Sequence, residues 1–148
     1  VMKIIEVKER TPLLLHRLLG IWEASVRATH LFLSDDEIKR IKDYVPHALA
    51  SVATLVIAEE DNGIPVAFMG IEASTLEMLF IAPEERGKGL GKRLIQHGIT
   101  HHSIQKLAVN EQNPQARGFY EHMGFHVYQR TETDEQGGPY PLLYMSRS

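Results

Sequence analysis

Between Pro83 and Leu94 the chain reads PEERGKGLGKRL. Gly87, Gly89 and Gly91 alternate with Lys88 and Leu90, while Arg86, Lys88, Lys92 and Arg93 add positive charge with no acid among them. Glycine removes the Cβ that keeps a ligand off the backbone. The segment leads into a helical pattern. The unpaired N–H groups of a helix start and the positive end of its dipole favour an anion. Four cations at that end oppose the dipole, so the spacing points to an anion held among them. Two phosphate motifs fail in register. The dinucleotide fingerprint G-x-G-x-x-G, counted from Gly87, needs glycine where Lys92 stands. The loop G-x-x-x-x-G-K-[ST] needs glycine at Arg86 and a hydroxyl residue at Arg93. Arg86-x-x-Gly89-x-Gly91 between a strand and a helix remains. A tight glycine turn packed between those two elements is the bland reading of the same residues.

Other chemistry is narrowed by what the 148 residues lack. There is no cysteine, which removes disulfides, thiolate metal sites and a cysteine nucleophile. No G-x-S-x-G elbow occurs. His97 and His101 stand four apart on a helical stretch, a metal-ligand spacing. No acid lies between them and H-E-x-x-H is absent, so they read as a surface face and no metal is expected.

The elements that must position the glycine segment follow from periodicity and punctuation. VMKIIEV reads as a strand. Thr11-Pro12 starts a helix with Leu15, Leu18, Leu19, Trp22, Val26 and Thr29 at helical spacing. Ser34 and Glu37 form a capping-box pattern ahead of Ile38, Ile41, Val45 and Leu49, and Pro46 predicts a kink or end near Val45. Two β-type runs join at Asp61-Asn62-Gly63, a hairpin signal. TLEMLFIAP is a third run. A helix with Leu90, Leu94, Ile95 and Ile99 on one face follows the glycines, and SIQKLAVN reads as a strand. Asn113-Pro114 opens a helix carrying Ala116, Phe119, Tyr120 and Met123, with Gly124 suited to its stop. FHVYQRTET and PYPLLYMS pair across DEQGG. The order is β-α-α-β-β-β-α-β-α-β-β, an α/β chain with a mixed sheet, helices on both faces, and a right-handed parallel crossover from Thr75 to Val109.

The length suits one domain, expected over residues 2–148, with Val1 before Met2 read as an expression remnant. A net charge of −3 argues against a nucleic-acid partner. No apolar run approaches the roughly 20 residues of a membrane helix, and the start lacks the apolar region of a signal peptide. No membrane partner and a cytoplasmic location are expected.

Arg86-x-x-Gly89-x-Gly91 after a strand ending LFIAP resembles the acetyl-CoA site of the GCN5-related N-acetyltransferase (GNAT) superfamily. LAVNEQNPQARGFYEHMGF resembles its second block, N-x-x-[AS]-x-x-[FL]-Y-x-x-x-G-F, from Asn113 through Ala116, Phe119, Tyr120 and Gly124 to Phe125. The element order also fits, so the resemblance covers nearly the whole chain. RATHLFLS and GGPYPLLY are similar to stretches of a bacterial subgroup of that superfamily.

The resemblance implies a GNAT fold with two parallel strands splayed apart and acetyl-CoA as co-substrate. Arg86, Gly87, Lys88, Gly89, Leu90, Gly91 and Lys92 would bind its pyrophosphate. The backbone of Leu79, Phe80 and Ile81 would bind the pantetheine arm, with Asn113 on the other side; helix capping alone also explains Asn113. Tyr120 would protonate the leaving thiolate, or else be a core tyrosine. Glu77 would be the base that frees the amine, or an exposed strand glutamate. The acceptor would meet the first helices, their joining loop and the C-terminal strands, where His30 and Tyr140 are candidate contacts. The expected activity is acetyl transfer to a primary amine, on a small molecule or peptide, by direct attack in a ternary complex, in a monomer or homodimer. A non-catalytic acyl-CoA binding module stays open as the alternative.

Overall fold

The computed structural model describes residues 2–147; Val1 and Ser148 lie outside them. Strand β1 (Lys3–Glu6) precedes α1 (Pro12–Thr29), α2 (Asp35–Lys42) and α3 (Val45–Ser51). The strands β2 (Thr54–Glu59), β3 (Pro65–Glu72) and β4 (Thr75–Ile81) then form a meander. A 3-10 turn at Pro83–Glu85 leads to α4 (Leu90–His102), β5 (Lys106–Asn110), α5 (Pro114–His122), β6 (Phe125–Thr131) and β7 (Leu142–Arg147).

The local signals act where they stand. Thr11 caps α1 through its hydroxyl, which accepts from Leu14 N at 3.2 Å. Ser34 and Glu37 close both bonds of a capping box on α2. Gly63 takes φ 82° in the β2–β3 turn and Gly124 takes φ 97° after α5. One expectation is corrected. The helix after Ser34 ends at Lys42 rather than near Val45, and Val45 and Leu49 belong to a separate helix α3 with Pro46 in its first turn. Proline's missing N–H costs nothing there. Arg10 caps the far end of α3, donating to Leu49 O at 3.0 Å, Ala50 O at 3.1 Å and Ala53 O at 3.2 Å.

All seven strands form one sheet in the order β1-β2-β3-β4-β5-β7-β6. Every neighbouring pair is antiparallel except β4 and β5. That parallel pair is joined only at Thr75↔Lys106 and Leu76↔Leu107, and beyond it the two strands part. Residues 79–81 still pair with β3 on one edge and meet no strand on the other among the described residues. A bulge coincides with the parting: Gly70 faces Met78 and Ile71 faces Leu76, so Glu77 has no partner on β3. A bulge twists and bends its strand. Each face of the sheet carries a core. Leu94, Ile95, Tyr120 and Phe125 pack with Met69 and Leu107 on one side, and Leu18, Trp22 and Leu49 with Leu55 and Phe68 on the other.

Candidate active site

The glycine segment and the β4–β5 gap open on one cavity of about 430 Å³, lined from five elements and the loop before α4. The first backbone bond of α4 runs from Arg93 N to Gly89 O at 3.1 Å. The N–H groups of residues 87–92 meet no acceptor among the described residues. Six consecutive free amides beside a cavity form a nest for a multiply charged anion.

The three glycines serve two purposes. Gly87 at φ 78° and Gly89 at φ 80° hold the left-handed backbone that turns the amides outward, and a Cβ on either would meet nothing within 4 Å. Gly91 lies inside the helix, and a Cβ there would stand 3.1 Å from Ile81 Cδ1 and 3.4 Å from Phe119 Cζ. It is glycine because α4 packs closely on β4 and α5. The four cations do not converge either. Arg86 and Lys92 line the cavity, Lys88 turns to buried Glu85 at 3.2 Å, and Arg93 donates to Met2 O at 3.3 Å. Adjacent helical side chains point about 100° apart, which sends Arg93 toward β1 while Lys92 faces the cavity.

Leu79, Phe80 and Ile81 line the cavity from the unpaired edge of β4, with Asn113 and Tyr120 on the α5 side. Asn113 Oδ1 accepts from Ala116 N at 3.2 Å, so it caps α5 while facing the cavity. Tyr120 is 8% exposed, between Phe119 at 5.1 Å and Phe125 at 6.0 Å, both edge-on. Burial pushes its phenol well above the ordinary value. Its hydroxyl has no partner among the described residues, yet no side-chain oxygen is sealed without one. The hydroxyl therefore opens on the cavity, available to donate.

A second recess of about 230 Å³ shares His30, Leu79, Asn113 and Tyr120 with the first and adds Glu77 and Asn110. Burial, then the carboxylates of Glu135 and Glu72, raise the Glu77 pKa. Side-chain faces do not alternate strictly along β4. Leu76 joins the same core as Leu79 and Ile81, because the bulge at Glu77 adds a residue between them. His30 follows α1. The Thr29 hydroxyl gives its one hydrogen to Ser25 O at 2.8 Å and lies 2.8 Å from His30 Nδ1. It must accept from that nitrogen, which leaves the lone pair on Nε2. Burial, and then Arg86, hold the His30 pKa below its ordinary value, so the ring is neutral near pH 7. Tyr140 lies away from the main cavity, in a depression with Leu33, Tyr44 and Asn110, and reaches His30 only through Phe32, at 5.7 Å and then 5.4 Å.

Gln115, Ser25 and Glu85 were not singled out from the sequence. Arg86 Nη2 approaches Gln115 Oε1 at 3.5 Å, a position two residues after Asn113 that helix geometry could have offered. Ser25 acts through its backbone carbonyl, which no residue type announces. At the far end of α4, His97 and His102 both meet Glu6, while His101 stacks on His97 at 4.5 Å.

Residues 29–140 match the family model described as an acetyltransferase (GNAT) domain. A peptidyl-lysine N-acetyltransferase, YjaB of Salmonella typhimurium, is 44% identical over 127 residues, 86% of this chain and 87% of that protein. The solution structure of apo-form YjaB from Escherichia coli matches with a TM-score of 0.88 at 37% identity, covering 99% of this chain and 97% of that one. PaiA N-acetyltransferase from Thermoplasma acidophilum, solved in complex with coenzyme A, shares the fold at a TM-score of 0.67 and 18% identity, covering 99% of each chain.

Proposed function

The chain belongs to the GNAT acetyltransferase family, and from that premise we propose that residues 2–148 form one domain that transfers acetyl from acetyl-CoA to the ε-amine of a peptidyl lysine, by direct attack in a ternary complex. The observation that carries this reading is the free amides of Gly87 and of Gly89 to Lys92, residues that line the same cavity as Tyr120 and the unpaired edge of β4. That set fits acetyl-CoA: free N–H groups for a pyrophosphate, and strand-like backbone at Leu79, Phe80 and Ile81 for an amide-bearing arm. The thioester supplies an activated acetyl carbon.

The chain's own residues supply the rest. A lysine amine with a pKa near 10.4 arrives protonated. Glu72, Glu77 and Glu135 lie near enough for the first and last to raise the pKa of the second, and together they favour a cationic acceptor over an anionic one. Glu77, made more basic by burial, takes a proton from the amine. His30 Nε2 accepts a second N–H and so aims the nitrogen lone pair. As the C–N bond forms, the nitrogen passes that second hydrogen to His30 Nε2, and as the C–S bond breaks the sulfur carries away the departing electron pair. Tyr120, kept neutral by burial, donates its hydrogen there. A free thiol near pKa ~8.5 is the stronger acid of the two in water, but a thiolate expelled into the same dry cleft is raised by the same desolvation.

The test combines isothermal titration of acetyl-CoA with a thiol-release assay over lysine peptides and small amines. Release that depends on a lysine peptide is the expected outcome. Tight binding with no amine-dependent release would replace this reading with a non-catalytic acyl-CoA binding module. Release driven only by a small amine would keep the transferase and remove the peptide.

A further inference from the structure

The sequence offered His97 and His101 as a spaced pair without a carboxylate. The fold supplies the carboxylate and changes the pair. Glu6, at the end of β1, stands 2.5 Å from His97 Nε2 through one oxygen and 2.9 Å from His102 Nε2 through the other. One ligand atom from each of the three side chains lies within 4.8 Å of the others. The histidine side chains are only 20% and 24% exposed, and Glu6 is 44% exposed. The cluster is thus partly sheltered, with one open side.

We propose that Glu6, His97 and His102 form a divalent transition-metal site, best suited to Zn²⁺. Two imidazole nitrogens and one carboxylate oxygen are a recurrent zinc ligand set, with the fourth tetrahedral position left to water. Metal–ligand bonds of about 2.0–2.2 Å put neighbouring donor atoms about 3.3 Å apart in a tetrahedron. The Glu6–histidine separations of 2.5 and 2.9 Å are below that, so the side chains rotate apart to admit the ion. Imidazole donors favour Zn²⁺, Cu²⁺ or Ni²⁺ and disfavour Mg²⁺ and Ca²⁺, which prefer all-oxygen sites. Binding replaces the hydrogen bonds that now join each Nε2 to the carboxylate, leaving the Nε2 lone pairs and one carboxylate oxygen to the ion. Arg93, one turn before His97, is held by Met2 O, and Lys3 lies on β1 itself; these are the nearest cations along the two elements and do not belong to the ligand set. The ion would tie β1 to the C-terminal turns of α4, joining positions 91 and 96 residues apart.

The test starts from metal-free protein, titrated with Zn²⁺ against a chromophoric chelator, while thermal unfolding is followed with and without the ion. One equivalent should bind, Tm should rise, and the His97 and His102 imidazole NMR signals should shift while that of exposed His16 on α1 does not. Glu6→Gln and His102→Ala should each weaken binding at least tenfold, and His16→Ala should leave it unchanged. If either ligand variant fails to fold, the wild-type imidazole shifts still decide. Zn²⁺ binding that leaves the His97 and His102 signals unmoved, or no binding at all, overturns the site. Acetyl-CoA binding, read separately, is not expected to depend on the ion.

Discussion

Replacing Tyr120 with phenylalanine removes one oxygen and no internal contact, since the hydroxyl has no partner among the described residues. Tyr120→Phe should therefore leave Tm and acetyl-CoA affinity nearly unchanged while kcat falls on the order of 10²–10⁴, the range for losing a positioned acid. Wild-type kcat in Tyr120→Phe would remove the residue from the chemistry. Glu77 and His30 separate by pH. The folded pKa of Glu77 is raised, so its basic form is lost as pH falls through that raised value, and kcat/KM should drop on the acid side. Glu77→Gln should lower the rate and abolish that limb. If the limb persists in Glu77→Gln and vanishes in His30→Gln, the proton goes to Nε2 of the imidazole instead. The tautomer of His30 rests on one hydroxyl hydrogen at Thr29. Sequence showed the histidine but not which nitrogen was free.

Helix α4 lines the cavity at its N-terminus and packs closely along its length. A Cβ at Gly98 would collide with Ile104 Cδ1 and stand 3.3 Å from Met69 Cε. Ile104 and Met69 are both fully buried, so neither can yield freely. Gly98→Ala gains about 1 kcal/mol of helix propensity but overpacks a full core at about 1–3 kcal/mol. A net loss of about 1 kcal/mol is expected, lowering Tm by roughly 2–4 °C in a chain of this size. An unchanged or higher Tm by calorimetry would mean that the sheet yields to α4 more easily than its packing indicates. Elements with their own punctuation were legible in advance: the Thr11 and Asn113 caps, the Ser34–Glu37 box and the turn at Gly63 all act within a few residues of themselves. The break between α2 and α3 was misjudged because proline both stops and starts helices, and only the path of the chain decides which.

Across the molecule, the cleft exists because β4 and β5 share two residue pairs and then diverge. Its free β4 edge and the free amides of residues 87–92 face one space. Acetyl-CoA should therefore slow hydrogen exchange at Leu79–Ile81 and Gly87–Lys92 together, and leave β1 unchanged. Protection of the loop alone would mean that the arm of the cofactor lies outside the gap. The chain's sequence by itself determined the strands, the caps and the glycine turn before α4, because each depends on residue conformations and contacts a few positions apart. Only the tertiary structure decided the division of labour among the three glycines, the scattering of the four cations, the bulge at Glu77 and the meeting of Glu6 with His97 and His102. Those depend on which surfaces the sheet brings together across as many as 96 residues, and local periodicity carries no information about a partner that far away.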